Sequence, residues 1–375
     1  MVLSDTQVAI RDAVRTFSQH EIRPRAAEFE AAGAYPRSLF RELAGLGLMG
    51  MTAPEKWGGA GADYVSYALA LMEVAAADGA LSTILSIQNS IMVSGLLRDG
   101  TEAQKERFLP GLTSGDLIGA FALTEPDAGS DAAAIRTLAT RVAGGWQVNG
   151  AKQFITSGQL ADVAMVIAVS EPGAGKRGMS AFLIPTSSPG YIVEKIERKM
   201  GQRASDTCAL RFDAVFVEDA LVFGRLGAGY SVALSNLEAG RIGIAAQAVG
   251  MAQAALEIAI GFAKSRRSMG KTIMEHQAVG FRLADSAARL EAARQLVLHA
   301  ASLKDHGQSC LIEASMAKLV ASETADVVCS AALQTLGGYG YVEDFGVEKI
   351  CRDVRVCQVY EGTSDIQRLV ISRAL

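Results

Sequence analysis

The chain has 375 residues, of which 50% are hydrophobic and 6% aromatic, and it carries a formal net charge of -4 with a pI of about 5.7. This length predicts roughly two to three domains with a sizeable buried core, and the acidic balance argues against nucleic-acid binding as a main role. No uninterrupted apolar run reaches the roughly 20 residues that span a bilayer, so we expect no membrane span. The first seven residues lack the basic segment and apolar run of a signal peptide.

Cysteine and histidine usage indicates the compartment and the kind of chemistry. The five cysteines, at positions 208, 310, 329, 351 and 357, show no Cys-x-x-Cys spacing, which indicates reduced thiols in a reducing compartment. We therefore expect a cytoplasmic protein, or a protein of the mitochondrial matrix if the chain is a processed eukaryotic one. None of the four histidines pairs with another at metal-ligand spacing, so we expect no catalytic metal.

The first third of the chain has the pattern of amphipathic and buried helices. Residues 4–7 and 101–104 each have the Ser/Thr-x-x-Gln pattern of a capping box, which marks a helix start. Two apolar helices are predicted between them, at 63–74 and at about 81–97. The Pro-Gly pair at 110–111 predicts the end of the helix that starts near residue 101.

The pattern changes to that of a sheet at about residue 120. A Gly-Gly pair at 144–145, flanked by apolar residues, indicates a hairpin. Continuous apolar runs at 164–169 and 179–185 indicate buried strands. Apolar segments at 210–212 and 215–217 continue the strand pattern.

Helical periodicity returns after residue 229. Three long helices are predicted, at 230–265, 275–305 and 309–336. They are rich in Ala, the best helix former, and long amphipathic helices of this kind pack as a bundle. Glycine is costly inside a helix unless close packing or a ligand requires it, and the first of these helices contains Gly240, Gly243 and Gly250.

These patterns predict an α+β, mainly α fold of three domains. The expected domains are an N-terminal α-helical domain over 1–119, a central β domain over 120–225 and a C-terminal helical domain over 226–375. The sequence contains neither an internal repeat nor a low-complexity tract.

A carboxylate near the C-terminus has the sequence context of a catalytic base. Glu361 follows a pair at 359–360 that is strand-like or buried in character, and it precedes Gly362, which permits a turn or a close ligand. Thr363 or Ser364 can cap the last helix. A Glu held against apolar neighbours has a raised pKa, which suits proton abstraction. The alternative is a helix cap beside a solvated Glu, because structural carboxylates outnumber catalytic ones.

The segment at 173–178 has the Gly-x-Gly-x-x-Gly spacing of a dinucleotide-binding loop. Such a loop must lead into a helix whose N-terminus faces the pyrophosphate, whereas the run at 179–184 indicates a strand. We therefore interpret 173–178 as a hairpin loop, and a nicotinamide-dependent enzyme is disfavoured.

The chain resembles the acyl-CoA dehydrogenase family over essentially its whole length. The most specific segment is Phe-Ala-Leu-Thr-Glu-Pro-Asp-Ala-Gly-Ser-Asp at 121–131. The resemblance implies an N-terminal helical domain, a central β domain and a C-terminal four-helix bundle, usually assembled as a homotetramer with one FAD per subunit. The other similar segments are Lys-Gln-Phe-Ile-Thr-Ser-Gly at 152–158, Lys-Met-Gly-Gln-Arg-Ala-Ser-Asp-Thr-Cys at 199–208, Leu-Glu-Ala-Gly-Arg-Ile-Gly-Ile at 237–244, Arg-Arg-Ser-Met-Gly-Lys at 266–271, Gln-Thr-Leu-Gly-Gly-Tyr-Gly at 334–340 and Tyr-Glu-Gly-Thr-Ser at 360–364.

The resemblance implies flavin contacts at residues of these segments. Phe154 stands where the family often has Trp, Asp365 where many relatives have Gln, and Met269 where the family usually has an aromatic residue. The implied FAD contacts are Phe121, Leu123, Thr124, Ser130, Phe154, Ile155, Thr156, Thr363 and Asp365. Arg266, Gln334 and Gly338 are implied to contact the FAD of a neighbouring subunit. Gln277 is a further implied cofactor contact.

The resemblance also implies that Glu361 removes the α-proton of an acyl-CoA thioester while flavin N5 accepts the β-hydride, which yields a trans-2-enoyl-CoA. In the isovaleryl and long-chain branches the base stands where this chain has Gly240, which cannot act as a base. Electron-transferring flavoprotein is the implied electron acceptor. The implied substrate contacts are Ser130, Glu238, Arg241, Gly362 and Arg373.

The predicted helix at 81–97 is expected to line the acyl pocket. Its bulky residues Ile84, Ile87, Gln88 and Ile91 are candidate walls and favour short or short branched acyl groups. No Arg lies in that helix to pair with a distal carboxylate, so a decarboxylating glutaryl-CoA enzyme is disfavoured. The rival functions are a flavin monooxygenase or an acyl-CoA oxidase on the same fold, and a structural helix bundle without flavin.

Overall fold

Seven helices form the N-terminal part of the computed structural model, which describes all 375 residues. They are α1 (Asp5–Phe17), α2 (Ala26–Ala32), α3 (Arg37–Gly45), α4 (Tyr64–Ala77), α5 (Gly79–Ser86), α6 (Ser94–Asp99) and α7 (Glu102–Ser114). The predicted capping boxes start α1 at Ser4 and α7 at Thr101. A π-helical segment, Ile87–Val93, joins α5 to α6, and we call the continuous helix Gly79–Asp99 the rod. The two predicted apolar helices are α4 and the rod.

Helix α7 continues beyond its predicted end. The prediction that the Pro-Gly pair at 110–111 ends this helix is wrong, because the helix ends at Gly115, whose φ is 75°. Pro110 faces solvent, while Leu109 and Leu112 beside it are fully buried. Burial of this apolar face outweighs the hydrogen bond that an interior proline removes.

The middle of the chain forms one eight-stranded sheet. Its strands are β1 (Gly119–Ala122), β2 (Leu138–Val142), β3 (Gly145–Thr156), β4 (Val163–Val169), β5 (Met179–Pro185), β6 (Tyr191–Ile196), β7 (Thr207–Glu218) and β8 (Val222–Phe223). The strand order is β6-β7-β3-β2-β4-β5-β8, and β1 runs parallel to β4. The predicted hairpin joins β2 to β3, and the loop at 173–178 joins β4 to its antiparallel neighbour β5, as predicted. The segments at 210–212 and 215–217 belong to a single strand, β7.

Helices form the rest of the chain. They are α8 (Gly229–Ser265), α9 (Gln277–Asp305), α10 (Leu311–Leu336), α11 (Gly338–Tyr341), α12 (Val347–Val354) and α13 (Ser364–Ser372), with a small hairpin of β9 (Arg267–Ser268) and β10 (Lys271–Thr272) between α8 and α9. The three long predicted helices are α8, α9 and α10, each starting within two residues of its predicted start. Helix α10 packs along α8 and α9, and α4 packs along α8.

The hydrophobic interior joins distant parts of the chain. One core combines residues of α3, α4 and α5 with residues of α8, α9 and α10. A second core packs the sheet against α7 and the second half of the rod. The helices at the two ends of the chain therefore share one core, and the sheet shares the other with N-terminal helices.

Two helices meet the length and composition of a membrane span, contrary to the sequence expectation that no apolar run is long enough. They are the rod and α8, each with an 18-residue window of mean hydropathy 1.4. Within the protein, 83% of each window is buried. Their apolar side chains thus pack in the two cores.

Close helix contact explains two of the glycines in α8. A Cβ atom on Gly250 would lie 2.8 Å from backbone atoms of Met72 in α4. A Cβ atom on Gly243 would lie 2.7 Å from Tyr67 Oη and would also meet Ser86 Oγ. These residues let α8 approach α4 and α5 more closely than a side chain would allow.

We expect Gly250→Ala to lower the free energy of unfolding by about 1–3 kcal/mol, because the added methyl group meets backbone atoms of α4 that cannot rotate away. Gly261→Ala is the matched control in the same helix, since a Cβ there meets no atom within 4 Å. It should gain about 0.5–1 kcal/mol from helix propensity. Urea unfolding followed by circular dichroism measures both variants, and equal stabilities would contradict the close contact.

Candidate active site

Glu361 lies in a tight turn between a 3-10 turn, Arg355–Gln358, and α13. The φ angle of Glu361 is +54° and that of Gly362 is +83°, so two consecutive residues occupy the left-handed region. This region is uncommon for a residue with a Cβ atom and is found most often where the surrounding structure holds the backbone in place. We call residues 360–363 the base turn.

The flanks of the base turn follow the sequence prediction in part. Thr363 rather than Ser364 caps α13, because its side chain accepts the backbone N–H of Ile366 at 3.3 Å. Val359 is 56% exposed and directly follows the 3-10 turn, so its predicted strand-like or buried character is wrong. Tyr360 turns its hydroxyl group toward polar side chains of the interior. Because the side chain of Tyr360 points inward, that of the adjacent Val359 points outward.

The carboxyl group of Glu361 is enclosed. Its Oε2 atom is inaccessible to solvent and has no hydrogen-bond partner, and a Cβ atom on Gly240 of α8 would lie only 2.7 Å from it. Burial raises the pKa of Glu361 to about 7, while the positive charges of Arg241 and Lys318 act in the opposite direction. A carboxyl group with this pKa can accept a proton near neutral pH. Gly240 leaves the space that this carboxyl group occupies.

A mainly apolar cavity of about 500 Å³ opens beside Glu361. It lies between the rod, α8 and α13, and we call it the apolar cavity. Its aliphatic walls are Ile87, Ile91, Leu234, Leu237, Ile244, Leu311, Ile366, Leu369 and Val370. The predicted contacts Phe121, Leu123, Thr124, Ser130, Phe154, Ile155, Thr156, Glu238, Arg241, Gly362 and Arg373 also line it.

The rod supplies a different set of walls from the one predicted. Ile87 and Ile91 line the apolar cavity, but Ile84 lies in the helical core and Gln88 donates to backbone carbonyls elsewhere. Thr83 takes the remaining position. The lining side chains Thr83, Ile87 and Ile91 recur at every fourth residue and therefore share one face of the rod.

Two charged residues expected at the substrate lie in the apolar cavity with different surroundings. Arg241 is 5% exposed, and its Nε and Nη1 atoms have no hydrogen-bond partner. Burial lowers the pKa of Arg241, although Glu361 and Glu238 favour its charge. Glu238 lies 3.5 Å from Lys304 Nζ and 3.5 Å from Cys310 Sγ. Arg241 is thus free to bind a ligand, whereas Glu238 is already paired.

A second cavity, of about 640 Å³, meets the first at Glu361. Most of its lining residues have hydroxyl, amide or charged side chains, and for these residues we call it the polar cavity. Because both cavities share lining residues, they form one continuous space with Glu361 at the junction. The shared residues are Thr83, Thr124, Gly129, Ser130, Phe154, Thr156, Tyr360, Glu361 and Gly362.

A β-bulge directs Phe154 into this space. The pairing of β3 with β7 shifts register between Lys152 and Ile155, and Phe154 has φ +59°. A bulge bends the strand and redirects a side chain, and Phe154 is 63% exposed at the wall shared by both cavities. The aromatic face at this position is therefore presented to a ligand and not to the core.

A buried ion pair supports this wall, and the sequence analysis did not identify it. Lys152 has 0% side-chain exposure and its Nζ donates to Glu125 Oε1 at 2.8 Å and to the Leu123 carbonyl at 2.8 Å. Glu125 also accepts the backbone N–H groups of Arg136 and Thr137. Burial lowers the pKa of Lys152 to about 8. In the sequence, the one available signal for this ion pair was a lysine within a predicted strand. Its carboxylate partner lies in a distant segment, so no local pattern identifies it.

The polar cavity fits the flavin that the resemblance implies. Ser205 Oγ is buried there without a hydrogen-bond partner, and the hydroxyl-bearing residues Thr124, Thr156 and Thr207 line the same space. Hydroxyl groups both donate and accept hydrogen bonds, which suits the alternating carbonyl and nitrogen groups of a flavin ring. Phe154 adds an aromatic surface.

The other implied cofactor contacts lie in four different places. Thr363 lines the polar cavity. The side chain of Asp365 is 92% exposed, lies 3.3 Å from Arg368 and lines neither cavity. Gln277 is exposed at the start of α9. Arg266, Gln334 and Gly338 line a separate third cavity of about 530 Å³ between the ends of α8 and α10.

Comparison with known proteins shows similarity along the whole chain. Family models match at residues 4–116 (acyl-CoA dehydrogenase, N-terminal domain), 120–215 (middle domain) and 227–375 (C-terminal domain). An acyl-CoA dehydrogenase of Bacillus subtilis (strain 168) is 46% identical and covers 100% of this chain and 99% of that protein. The mitochondrial short-chain specific acyl-CoA dehydrogenase of Homo sapiens is 40% identical, with 99% of this chain and 90% of that protein covered.

A solved structure shows the same fold. Butyryl-CoA dehydrogenase from Megasphaera elsdenii superposes with a TM-score of 0.97 at 39% identity, over 100% of this chain and 99% of that chain. The predicted α+β, mainly α architecture with a central sheet is therefore confirmed. The chain belongs to the acyl-CoA dehydrogenase family and is a flavoprotein oxidoreductase acting on acyl-CoA.

Proposed function

We propose that this protein is an FAD-dependent dehydrogenase that converts short or short branched acyl-CoA thioesters to trans-2-enoyl-CoA, with Glu361 as the base. One observation carries the proposal: a buried carboxyl oxygen without a partner lies where an apolar and a polar cavity meet. A structural helix bundle gains nothing from a buried, unpaired carboxyl group, which costs stability. A base between an acyl chain and a redox cofactor requires this arrangement.

In the proposed reaction, Glu361 takes the α-proton of the bound thioester. The Cα–H bond breaks, its proton goes to the carboxylate, and its electron pair forms the new double bond as the β-hydrogen leaves with two electrons. A bound flavin supplies the acceptor for that hydride. The walls of the apolar cavity, such as Ile87 and Ile91, keep water from the reacting carbons.

The backbone of the base turn can stabilise the charge that develops on the thioester oxygen. The N–H group of Glu361 donates to no acceptor within the chain. An N–H donor that is held in place before the reaction stabilises an enolate-like transition state without reorganisation. Because this donor is the backbone N–H of Glu361 itself, the proposed base and the proposed donor belong to the same residue in the left-handed turn.

FAD would be held by the same-subunit residues of the two cavities, from Phe121 to Thr363. The third cavity, with Arg266, Gln334 and Gly338, is proposed to bind the FAD of a neighbouring subunit, with Gln277 nearby in a homotetramer. The separation of this cavity from Glu361 supports that division, because the two spaces share no lining residue. We further propose electron-transferring flavoprotein as the acceptor and a cytoplasmic location, or the mitochondrial matrix for a processed eukaryotic chain.

The walls of the apolar cavity support a short acyl chain. Ile87 and Ile91 of the rod form part of its lining, and the name of the similar human protein is that of a short-chain specific enzyme. The rod contains one arginine, Arg98, which donates to Asp99 at 2.6 Å and to Asn236 at 2.8 Å and does not line the cavity. A distal carboxylate would thus lack a cationic partner on the rod, which disfavours glutaryl-CoA.

We expect butyryl-CoA and short branched acyl-CoAs to bleach the flavin of the purified protein, and the extent of bleaching to fall as the chain lengthens. Ile87 and Ile91 are the physical reason, because a longer chain meets their side chains. Anaerobic titration followed by flavin absorbance measures this. Ile87→Ala should extend the accepted length. Bound flavin that no acyl-CoA reduces would contradict the proposal and favour an oxygenase, whereas rapid turnover with oxygen alone would favour an oxidase.

The pH dependence of turnover should report the ionisation of Glu361. Because burial raises the pKa of Glu361 to about 7, kcat/KM should rise with pH and level off above about pH 7. Glu361→Gln should keep its flavin yet lose at least about 100-fold in rate, the usual range for a lost general base. Glu238→Gln, which alters the other carboxylate of the cavity, should keep the acid limb, which is the fall of kcat/KM below about pH 7. Near-normal turnover by Glu361→Gln would rule out the assigned base.

A methyl group added at position 240 should raise the stability of the protein and lower its activity. The Cβ atom of Gly240→Ala would lie 2.7 Å from Glu361 Oε2, at the movable end of that side chain. We therefore expect the variant to gain about 0.5–1 kcal/mol of stability as an alanine in a helix but to turn over more slowly, because the carboxylate is displaced. Steady-state kinetics and urea unfolding measure both, with Gly261→Ala as the control. Unchanged turnover would contradict the proposed position of the carboxylate.

A further inference from the structure

Two side chains that line none of the three cavities hold the base turn by hydrogen bonds. Gln367 Nε2 donates to the carbonyl oxygens of Glu361 at 3.1 Å and Gly362 at 2.9 Å. Lys318 Nζ donates to the Gly362 carbonyl at 2.7 Å. Both side chains are fully buried, at 0% exposure. The left-handed conformation of Glu361, a residue with a Cβ atom, costs free energy, and these three hydrogen bonds restrain the backbone that orients its side chain.

Lys318 is a buried cation without a carboxylate partner. Lys152 is paired with the Glu125 carboxylate, whereas Lys318 forms no salt bridge, and its hydrogen bond is to a backbone carbonyl. Burial lowers the pKa of Lys318 to about 8. Burying a lysine without a carboxylate partner is costly, and an uncharged side chain could fill the same volume. A cation at this position is therefore explained better by an electrostatic role than by packing.

Charged and titratable groups surround Lys318 on several elements. Glu361 of the base turn and Cys357 of the preceding 3-10 turn favour its positive charge, as does Glu323 on its own helix, α10. Arg241 on α8 opposes it. In return, the Lys318 charge favours the ionised form of Glu361. The side chain that restrains the turn thus also acts on the charge of the base.

We propose that Lys318 is a positioning residue for the base: it restrains the base turn through the Gly362 carbonyl and favours the ionised form of the neighbouring Glu361 carboxylate. The inference rests on the proposed function, in which Glu361 removes the α-proton. Gln367 shares the restraint but carries no charge. The two side chains therefore separate the geometric contribution from the electrostatic one.

The test is exchange of the α-hydrogens of acetyl-CoA with D2O, catalysed by the purified flavin-containing protein. Acetyl-CoA has α-hydrogens but no β-carbon, so exchange requires the base and no hydride transfer. Lys318→Met should lower the exchange rate at pH 7 at least tenfold and move its acid limb to higher pH, because loss of a positive neighbour disfavours the carboxylate. Lys318→Arg, which keeps a cation and a donor, should retain the acid limb. Flavin content and thermal unfolding are measured in parallel.

Two further variants keep the proposal testable if Lys318→Met does not fold. Gln367→Met removes hydrogen bonds to the base turn but no charge, so exchange should slow while the acid limb stays in place. Ser315→Ala is the control for disturbance of α10, since Ser315 is equally buried and donates within its own helix. It should leave both the rate and the acid limb unchanged.

The outcomes distinguish this inference from the proposed function. Wild-type exchange rate and acid limb in Lys318→Met, or an unchanged rate in Gln367→Met, would overturn the positioning role. A lowered melting temperature with normal exchange would likewise show that Lys318 is only structural. Glu361→Gln is assayed alongside: if that variant still exchanges and dehydrogenates normally, the base assignment fails, whatever the Lys318 variants show.

Discussion

Burial of the Glu361 carboxyl group is the interaction on which the site depends. Removal from water raises the pKa of the group to about 7, and no hydrogen-bond donor of the chain stabilises the negative charge at Oε2. The burial needs a missing side chain at Gly240, a left-handed backbone at Glu361 and Gly362, and restraint by Lys318 and Gln367. Each of these features has a cost by itself and is explained by the carboxyl group that they hold.

The shared helical core places the elements that form the site. Gly243 and Gly250 bring α8 close to α5 and α4, so that the N-terminal helices and the C-terminal bundle bury one apolar interior. The rod, α8 and the base turn consequently converge, although they lie far apart in sequence. The apolar cavity is the space left between them, and its walls come from both ends of the chain.

The sheet contributes the opposite side of the site. The bulge in β3 turns Phe154 toward both cavities, and the Lys152–Glu125 pair holds the segment after β1 against β3. Because both partners of this pair are buried, removal of one would leave an uncompensated charge. The wall that is proposed to meet the flavin is thus fixed by buried electrostatics as well as by strand pairing.

Local signals in the sequence determined the helix caps, the hairpin at 144–145 and the lengths of the three long helices, because such signals depend on neighbouring residues alone. The resemblance of ordered motifs also identified the family and singled out Glu361. Tertiary packing decided the rest. Burial of flanking leucines carried α7 through Pro110. Packing of the rod placed Ile84 in the helical core and Gln88 on backbone carbonyls, and left Thr83 in the cavity wall. The partners of Lys318 and Lys152 lie on distant segments, so no local pattern predicts them.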